Sequence, residues 1–383
     1  MNLEVSQEQR ELRESVRRFL AERAPLPRVR ELMEAADATD AGVWRLAADQ
    51  LGLQGIAIGE EYGGAGFSFA EQAIVLEELG GALYTGPYLA SAVLAATALL
   101  ASEDEGARRD LLPGIASGQA IATLAFTEDD GSWDPASIRT TAAKNGDGWR
   151  LDGHKSFVLD GHGADLILVV AATDTDPASP ASPPELSLFA VDGTAAGSTG
   201  LSRRVLPTLD QTRRLARCEF SDVPARLIGS PGAARGVLEH TLDVAAVALA
   251  AEQLGGAQRA LDMAVGYAKI RQQFGRPIGS FQAIKHRCAD LLLEVESLRS
   301  AVGYAAAAVA EGSAEVPVLA PLVKAYASEV YSRVAAENIQ IHGGIGFTWE
   351  HDAHLYFKRA KASELFLGDA SYHRERLATR IGL

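Results

Sequence analysis

Residues 271–287, RQQFGRPIGSFQAIKHR, limit the fold more than any other stretch, because they join two patterns that only long, packed helices satisfy. Upstream, Leu254, Ala257, Leu261, Val265 and Ala268 recur at steps of three and four, the period of an apolar helix stripe. Downstream, Phe281, Ile284, Cys288, Leu291, Val295, Leu298, Val302, Ala305 and Val309 keep those steps over about four heptads, the seam of a helix buried against other helices. Gly275, Pro277 and Gly279 punctuate the turn between them, and Ser280 stands where it would cap the second helix. The corner gathers Arg271, Arg276, Lys285, His286 and Arg287 beside Phe274 and Phe281. On residue types alone it is either a solvated helix connection or a seat for an anionic group.

The rest of the chain falls into three blocks. Residues 1–121 read as an N-terminal helical domain, with an amphipathic helix over Glu8 to Leu20, another over Val43 to Leu51 and a third over Glu71 to Leu83. Between the last two lies the glycine-rich GEEYGGAGFS, a loop by composition. Residues 122–230 change period from helix to strand, at Ile121 to Phe126, at the alternating Trp149, Leu151, Phe157 and Leu159, at Leu166 to Ala172 and at Leu186 to Val191. The intervening ATDTDPASPASPPE reads as an exposed connection. Residues 231–383 are helical again, with helices expected near 232–272, 280–311, 317–341 and 351–380. An α, then β, then α order is not that of a doubly wound parallel sheet.

Composition narrows the function. A formal charge of −14 on 383 residues disfavours nucleic acid as a partner, since a phosphate backbone rewards a basic face. The longest apolar runs, Leu89 to Ala101 and Val244 to Ala251, are shorter than the ~20 residues of a membrane span. The first twenty residues are charged and of helical period rather than a secretion signal, so a cytoplasmic protein without membrane attachment is expected. Cys218 and Cys288 lack any C-x-x-C spacing, and His342, His351 and His354 fit no compact ligand set, so no disulfide or metal site is expected.

RQQFGRPIGSFQ closely resembles the R-x-x-F-G-x-x-I-x-x-F/H-Q signature of the acyl-CoA dehydrogenase family, and GEEYGGAG resembles its P-E-x-Y-G-G-x-G segment. The similarity runs over almost the whole chain. It implies an α+β, mainly α fold, with an N-terminal helical domain, a small β-barrel-like middle domain and a C-terminal four-helix bundle. It also implies FAD as cofactor, an acyl-CoA substrate, an electron-transfer flavoprotein as acceptor and a homodimer or homotetramer, because the family's FAD pocket is composite. By position, Arg271 would meet the FAD pyrophosphate, and Phe274 and Gln282 would fix the adenosine end. Gln340, Gly343 and Gly344 match Q-x-x-G-G-x-G, where backbone amides approach the pyrophosphate. Phe126 and Thr127 fall at the T-E-P motif that bonds the flavin ring, with Asp129 in place of its proline. Phe157 takes the aromatic position of W/F-I-T-N-G, while Leu159 and Asp160 replace its threonine and asparagine.

One departure bears on the chemistry. The family draws the proton alpha to the thioester carbonyl with a carboxylate, as a rule the Glu of E-G-T. Here LGD aligns with that motif, so Leu367 holds the place of the base, and the family's second location falls near Ala245. Two carboxylates stand as substitutes: Asp369, which is equally well placed as a helix N-cap, and Glu252, at the end of an apolar helix run. The Leu367 amide is still able to bond the thioester oxygen. Three readings follow: an acyl-CoA dehydrogenase with Asp369 as base, a pocket-completing subunit of a heterotetramer with a second acyl-CoA dehydrogenase-like chain, and a flavin oxidase or monooxygenase on the same fold.

Overall fold

The computed structural model describes residues 5–35, 39–146, 148–174, 184–194 and 199–383. Most of the Pro- and Ser-rich connection, residues 175–183, lies outside them. Helices α1 (Gln7–Arg23), α2 (Leu26–Glu34), α3 (Ala41–Leu51), α4 (Phe69–Gly81), α5 (Ala96–Ala101) and α6 (Glu105–Ala116) come first. Strands β1 (Ala122–Ala125), β2 (Thr141–Asn145), β3 (Gly148–Leu159), β4 (Leu166–Asp174), β5 (Glu185–Asp192), β6 (Leu201–Leu206) and β7 (Leu215–Ile228) follow. After them come α7 (Ala234–Ile270), α8 (Gln282–Ala310), α9 (Val316–His342), α10 (Ala353–Leu365) and α11 (Ala370–Arg380). These elements form two compact units. One comprises residues 1–35, 68–85 and 246–383, the other residues 36–67 and 86–245.

In the first unit α4 crosses α7 at unusually short range. A Cβ on Gly80 would lie 1.9 Å from the Glu252 carbonyl oxygen, and one on Gly255 would lie 1.7 Å from that of Glu77. Only hydrogen fits at either point. Glu77 and Glu78 of α4 are paired with Arg13 and Arg17 of α1, Arg13 spanning both carboxylates at 2.7 and 3.0 Å. Capping is local: Ser6 and Gln9 form a reciprocal capping box at the start of α1, and Ser68 and Glu71 form one at the start of α4.

Two expectations for this unit are corrected. Ser280 does not cap α8. A short 3-10 turn over Ile278–Ser280 carries the chain past it, Phe281 becomes the N-cap in extended conformation, and the Ser280 hydroxyl is buried without a partner. The last helical stretch is not continuous from 351 to 380. It breaks into α10 and α11 at Phe366 to Asp369, where Leu367 and Gly368 take φ of 62° and 102°.

In the second unit β4 pairs with both β2 and β5, and β2–β3, β3–β7 and β7–β5 complete a closed ring, with β1 parallel to β4 and β6 beside β7. Its interior is filled by Leu151, Val158, Ile167, Val169, Phe189, Val191, Cys218, Phe220 and Val223. β7 is the longest strand, and no expectation named it; Asp222 and Pro224 inside it blur an otherwise clear alternation. The glycine-rich loop of this unit is pinned by backbone bonds from Ala65, Gly66 and Phe67 to the carbonyls of Gly55, Ile58 and Ile56.

The α4/α7 crossing predicts the effect of a single methyl group. Gly80→Ala and Gly255→Ala each lower the stability of the unit by about 1–3 kcal/mol, against the ~1 kcal/mol that alanine contributes in an exposed helix. A urea midpoint that rises in either variant contradicts the close approach.

Candidate functional site

In the β unit the expected flavin-ring residues meet at the end of β1. The Thr127 hydroxyl donates to the Ser156 carbonyl at 2.6 Å, and the Ser156 amide returns a bond to the Thr127 carbonyl at 2.9 Å. The hydroxyl oxygen keeps its capacity to accept. Phe126 is buried against Trp133, with ring centroids 5.8 Å apart. Phe157, at φ 59°, sits in an irregularity of the β3–β7 register and is partly exposed, 36%. A Cβ on Gly131 would lie 3.8 Å from its ring. Asp129 is bound by the Ser156 hydroxyl and by Arg217, and faces His154 at 3.1 Å. Those bonds, the Ser156 hydroxyl foremost and then Arg217, hold its carboxyl below the ordinary value.

Beneath this surface lies an ion pair that sequence reasoning missed. Lys155 is fully buried, and its Nζ donates to Glu128 Oε1 at 2.9 Å and to the Phe126 carbonyl at 3.1 Å. The same carboxylate oxygen accepts from the Thr140 hydroxyl at 2.9 Å and from the amides of Arg139 and Thr140 at 2.9 and 2.8 Å. Burial lowers Lys155 to about 8, with Glu128 opposing that shift. Burial would raise Glu128, but Lys155 and the neighbouring amides outweigh it and hold the carboxyl below its ordinary value. At neutral pH the pair is therefore ionised and anchors the strand end that carries Phe126 and Thr127. A lysine alternating with Leu151 and Phe157 in β3 is the signal that would have found it.

In the helical unit the Arg271 corner and the end of α9 are neighbours. Tyr267, Ile278, Ile284 and Cys288 pack on Ala264, Ala268 and Ile341, and His342 stacks between Tyr267 and His351 with centroids 4.2 Å apart on each side. The chain turns at a two-residue hairpin, Gln272–Gln273 against Arg276–Pro277, with Phe274 at φ 53° and 91% exposed. Phe281 meets Phe274 edge-on at 6.1 Å and lies under the Arg276 guanidinium at 4.1 Å. Arg271 is exposed and makes no ion pair among the described residues. Gln282 opens α8 and Gln340 lies in the last turn of α9, both exposed. Beyond Gln340, Gly343 at φ 66° and Gly344 have nothing within 4 Å of where a Cβ would lie.

These features suit a dinucleotide. A free guanidinium fork, bare glycine backbone and an uncovered aromatic ring are what phosphate, close main-chain approach and a stacked base require. Among the described residues no group of three or more His, Cys, Asp or Glu is arranged to hold a metal, and no helix is long and apolar enough to cross a membrane.

The candidate bases are all engaged. Leu367 is 3% exposed. Asp369 is exposed and is the N-cap of α11, accepting from the Tyr372 amide at 2.8 Å. Glu252 is buried and accepts from Arg359 at 2.7 Å, with Arg359 also reaching the Tyr84 carbonyl. His373, buried completely, holds the Leu367 carbonyl at 3.0 Å.

That histidine carries a pH signature. Burial, and after it the charges of Lys324 and Arg376, pushes its pKa from 6.5 to about 3. Between those values the unfolded chain binds a proton that the folded chain refuses, so stability is lost as the pH falls. Acidification from about pH 7 to about pH 5 removes about 2 kcal/mol through this ring. His373→Gln loses that part of the dependence; urea midpoints with the same pH dependence in both proteins contradict it.

The comparisons with known proteins bear on the whole chain. Residues 6–119 match the acyl-CoA dehydrogenase N-terminal domain, residues 123–223 the middle domain and residues 235–382 the C-terminal domain. The chain is 39% identical over 361 residues to acyl-CoA dehydrogenase IpdE2 of Mycobacterium tuberculosis, covering 94% of this chain and 93% of that protein. Among solved structures it resembles a variant of the Tcur3481-Tcur3483 steroid ACAD, at 34% identity and a TM-score of 0.86 over 99% of this chain and 98% of that one. It also resembles the ChsE4-ChsE5 complex from Mycobacterium tuberculosis, at 31% identity and a TM-score of 0.87 over 100% of this chain and 99% of that one.

Proposed function

The chain belongs to the acyl-CoA dehydrogenase family, an FAD-dependent oxidoreductase acting on CH–CH groups, and on that premise we propose that it works as one half of a heteromeric acyl-CoA dehydrogenase. The second, related chain supplies the carboxylate base to the thioester seated in this chain's cleft. The reading is carried by one observation, that both substitutes, Asp369 and Glu252, already hold other partners, together with the resemblance, by which Leu367 falls where the base is expected. Two of the solved structures it resembles bear the names of two chains, Tcur3481-Tcur3483 and ChsE4-ChsE5. The steroid activity named for the first is the reason to propose a ring-bearing acyl group here.

FAD, when bound, supplies the acceptor for the hydride that leaves the beta carbon. This chain's own residues bind and orient. We assign Phe126, Thr127 and Phe157 to the flavin ring, Arg271, Gln340, Gly343 and Gly344 to the pyrophosphate, and Phe274 and Gln282 to the adenosine end. The Leu367 amide donates to the thioester oxygen, stabilising the charge that develops there as the alpha proton leaves. Electrons pass on to an electron-transfer flavoprotein. The three blocks, residues 1–121, 122–230 and 231–383, are the proposed domains.

A second reading keeps Asp369 as base in a homomeric enzyme. It is favoured by that residue's exposure and by the modest value of its one surface hydrogen bond, about 1 kcal/mol. Anaerobic bleaching of the flavin by acyl-CoA separates the two. The heteromeric reading predicts bleaching only when a second dehydrogenase-like chain is present, undiminished by Asp369→Ala; bleaching by this chain alone, abolished in Asp369→Ala, contradicts it. Independently, Arg271→Ala weakens FAD retention by about 1.5–3 kcal/mol, the value of a charge-assisted bond, with Arg271→Lys intermediate. Unchanged FAD content in Arg271→Ala removes the arginine from the pocket.

A further inference from the structure

Between α10 and α11 the main chain passes through two successive left-handed residues, Leu367 at φ 62° and Gly368 at φ 102°. Glycine accepts this without penalty, and a Cβ at Gly368 would in any case lie 2.2 Å from the Tyr372 ring. Leucine does not accept it freely, so contacts outside the turn must hold it. Two fully buried donors do so.

Lys324, from α9, donates through Nζ to the Gly368 carbonyl at 2.9 Å, to the Ser328 hydroxyl at 2.9 Å and to the Glu364 carbonyl at 3.3 Å. His373, from α11, meets the Leu367 carbonyl at 3.0 Å through Nε2. A carbonyl only accepts, so Nε2 carries the proton, and Nδ1 is left buried without a partner. Both turn carbonyls are thus tied to buried side chains. The Leu367 N–H, by contrast, donates to nothing among the described residues, although the residue is almost fully buried. An amide left without an acceptor in such a place is costly unless a ligand supplies one.

We propose that Lys324 and His373 are positioning residues for the dehydrogenase reaction, pinning the carbonyls of Leu367 and Gly368 so that the Leu367 N–H stays free for the thioester carbonyl oxygen. The proposal rests on the reading above, in which that oxygen lies at Leu367. Neither side chain touches substrate. Lys324 fixes the carbonyl that follows the Gly368 Cα and His373 the one that precedes it, so loss of either lets the strained leucine relax and turns its amide away. A glutamine at position 373 keeps a donor for the Leu367 carbonyl and should preserve the arrangement.

The test compares two probes that cannot be dehydrogenated at the reacting position: benzoyl-CoA, a thioester without an alpha hydrogen, and S-benzyl-CoA, its thioether lacking the carbonyl oxygen. Both are titrated calorimetrically into the FAD-loaded assembly of the full chain, with substitutions in this chain only. Wild type is expected to prefer benzoyl-CoA. His373→Phe and Lys324→Met are expected to weaken benzoyl-CoA about tenfold, the value of one hydrogen bond, while S-benzyl-CoA binds as before and His373→Gln behaves as wild type. Equal weakening of both probes, or of neither, overturns the positioning role while leaving the thioester reading intact. A wild type that binds both probes alike, or binds neither, instead overturns the placement of the carbonyl at Leu367 and the proposal with it. If Lys324→Met does not fold, the His373 pair decides.

Discussion

From Ala246 to Gly256 helix α7 is buried on every side, and the packing of the helical unit depends on satisfying that burial. A helix enclosed all round cannot carry an apolar stripe; it must be small and apolar throughout, as Ala246, Ala248, Ala250 and Ala251 are. Small residues let neighbours approach until backbone meets backbone, and at Gly80 and Gly255 they do. The same enclosure drags Glu252 and Gln253 inside. Each then needs a polar partner, which Arg359 and Ser328 provide. Glu252 is therefore part of the frame, tied to Arg359.

The order of elements was legible because it rests on periodicity. The two seams flanking residues 271–287 recur as α7 and α8, and Tyr267 to His342 stacking explains why that corner and the Gln340 to Gly344 segment read as one motif set despite lying some seventy residues apart in sequence. What escaped was decided by local turn geometry or by contacts between distant residues. Ser280 has the right type for a cap, but a 3-10 turn shifts the cap to Phe281. The break at Leu367 has only one glycine to announce it, since the leucine is held left-handed by Lys324 and His373 from other parts of the chain. Lys155 and Lys324 look like solvated charges in a string of letters, and both are wholly buried.

The site residues divide by the kind of chemistry they support. Groups suited to a dinucleotide are present in each unit: a hydroxyl and aromatic rings at the end of β1, an arginine without an ion pair among the described residues and bare glycine backbone at the ends of α7 and α9. Groups that would move a proton are occupied elsewhere. Among the described residues, the two carboxylates weighed as bases are engaged, and this is what supports the proposal of a two-chain enzyme in which the partner keeps the glutamate.

The FAD-to-protein ratio and native mass of the chain, purified alone and then with a second dehydrogenase-like chain, test this most directly. The account predicts a complex of two kinds of chain, with FAD retained in full only in that complex. A stable homomer carrying about one FAD per chain, and bleached by acyl-CoA unaided, would contradict it.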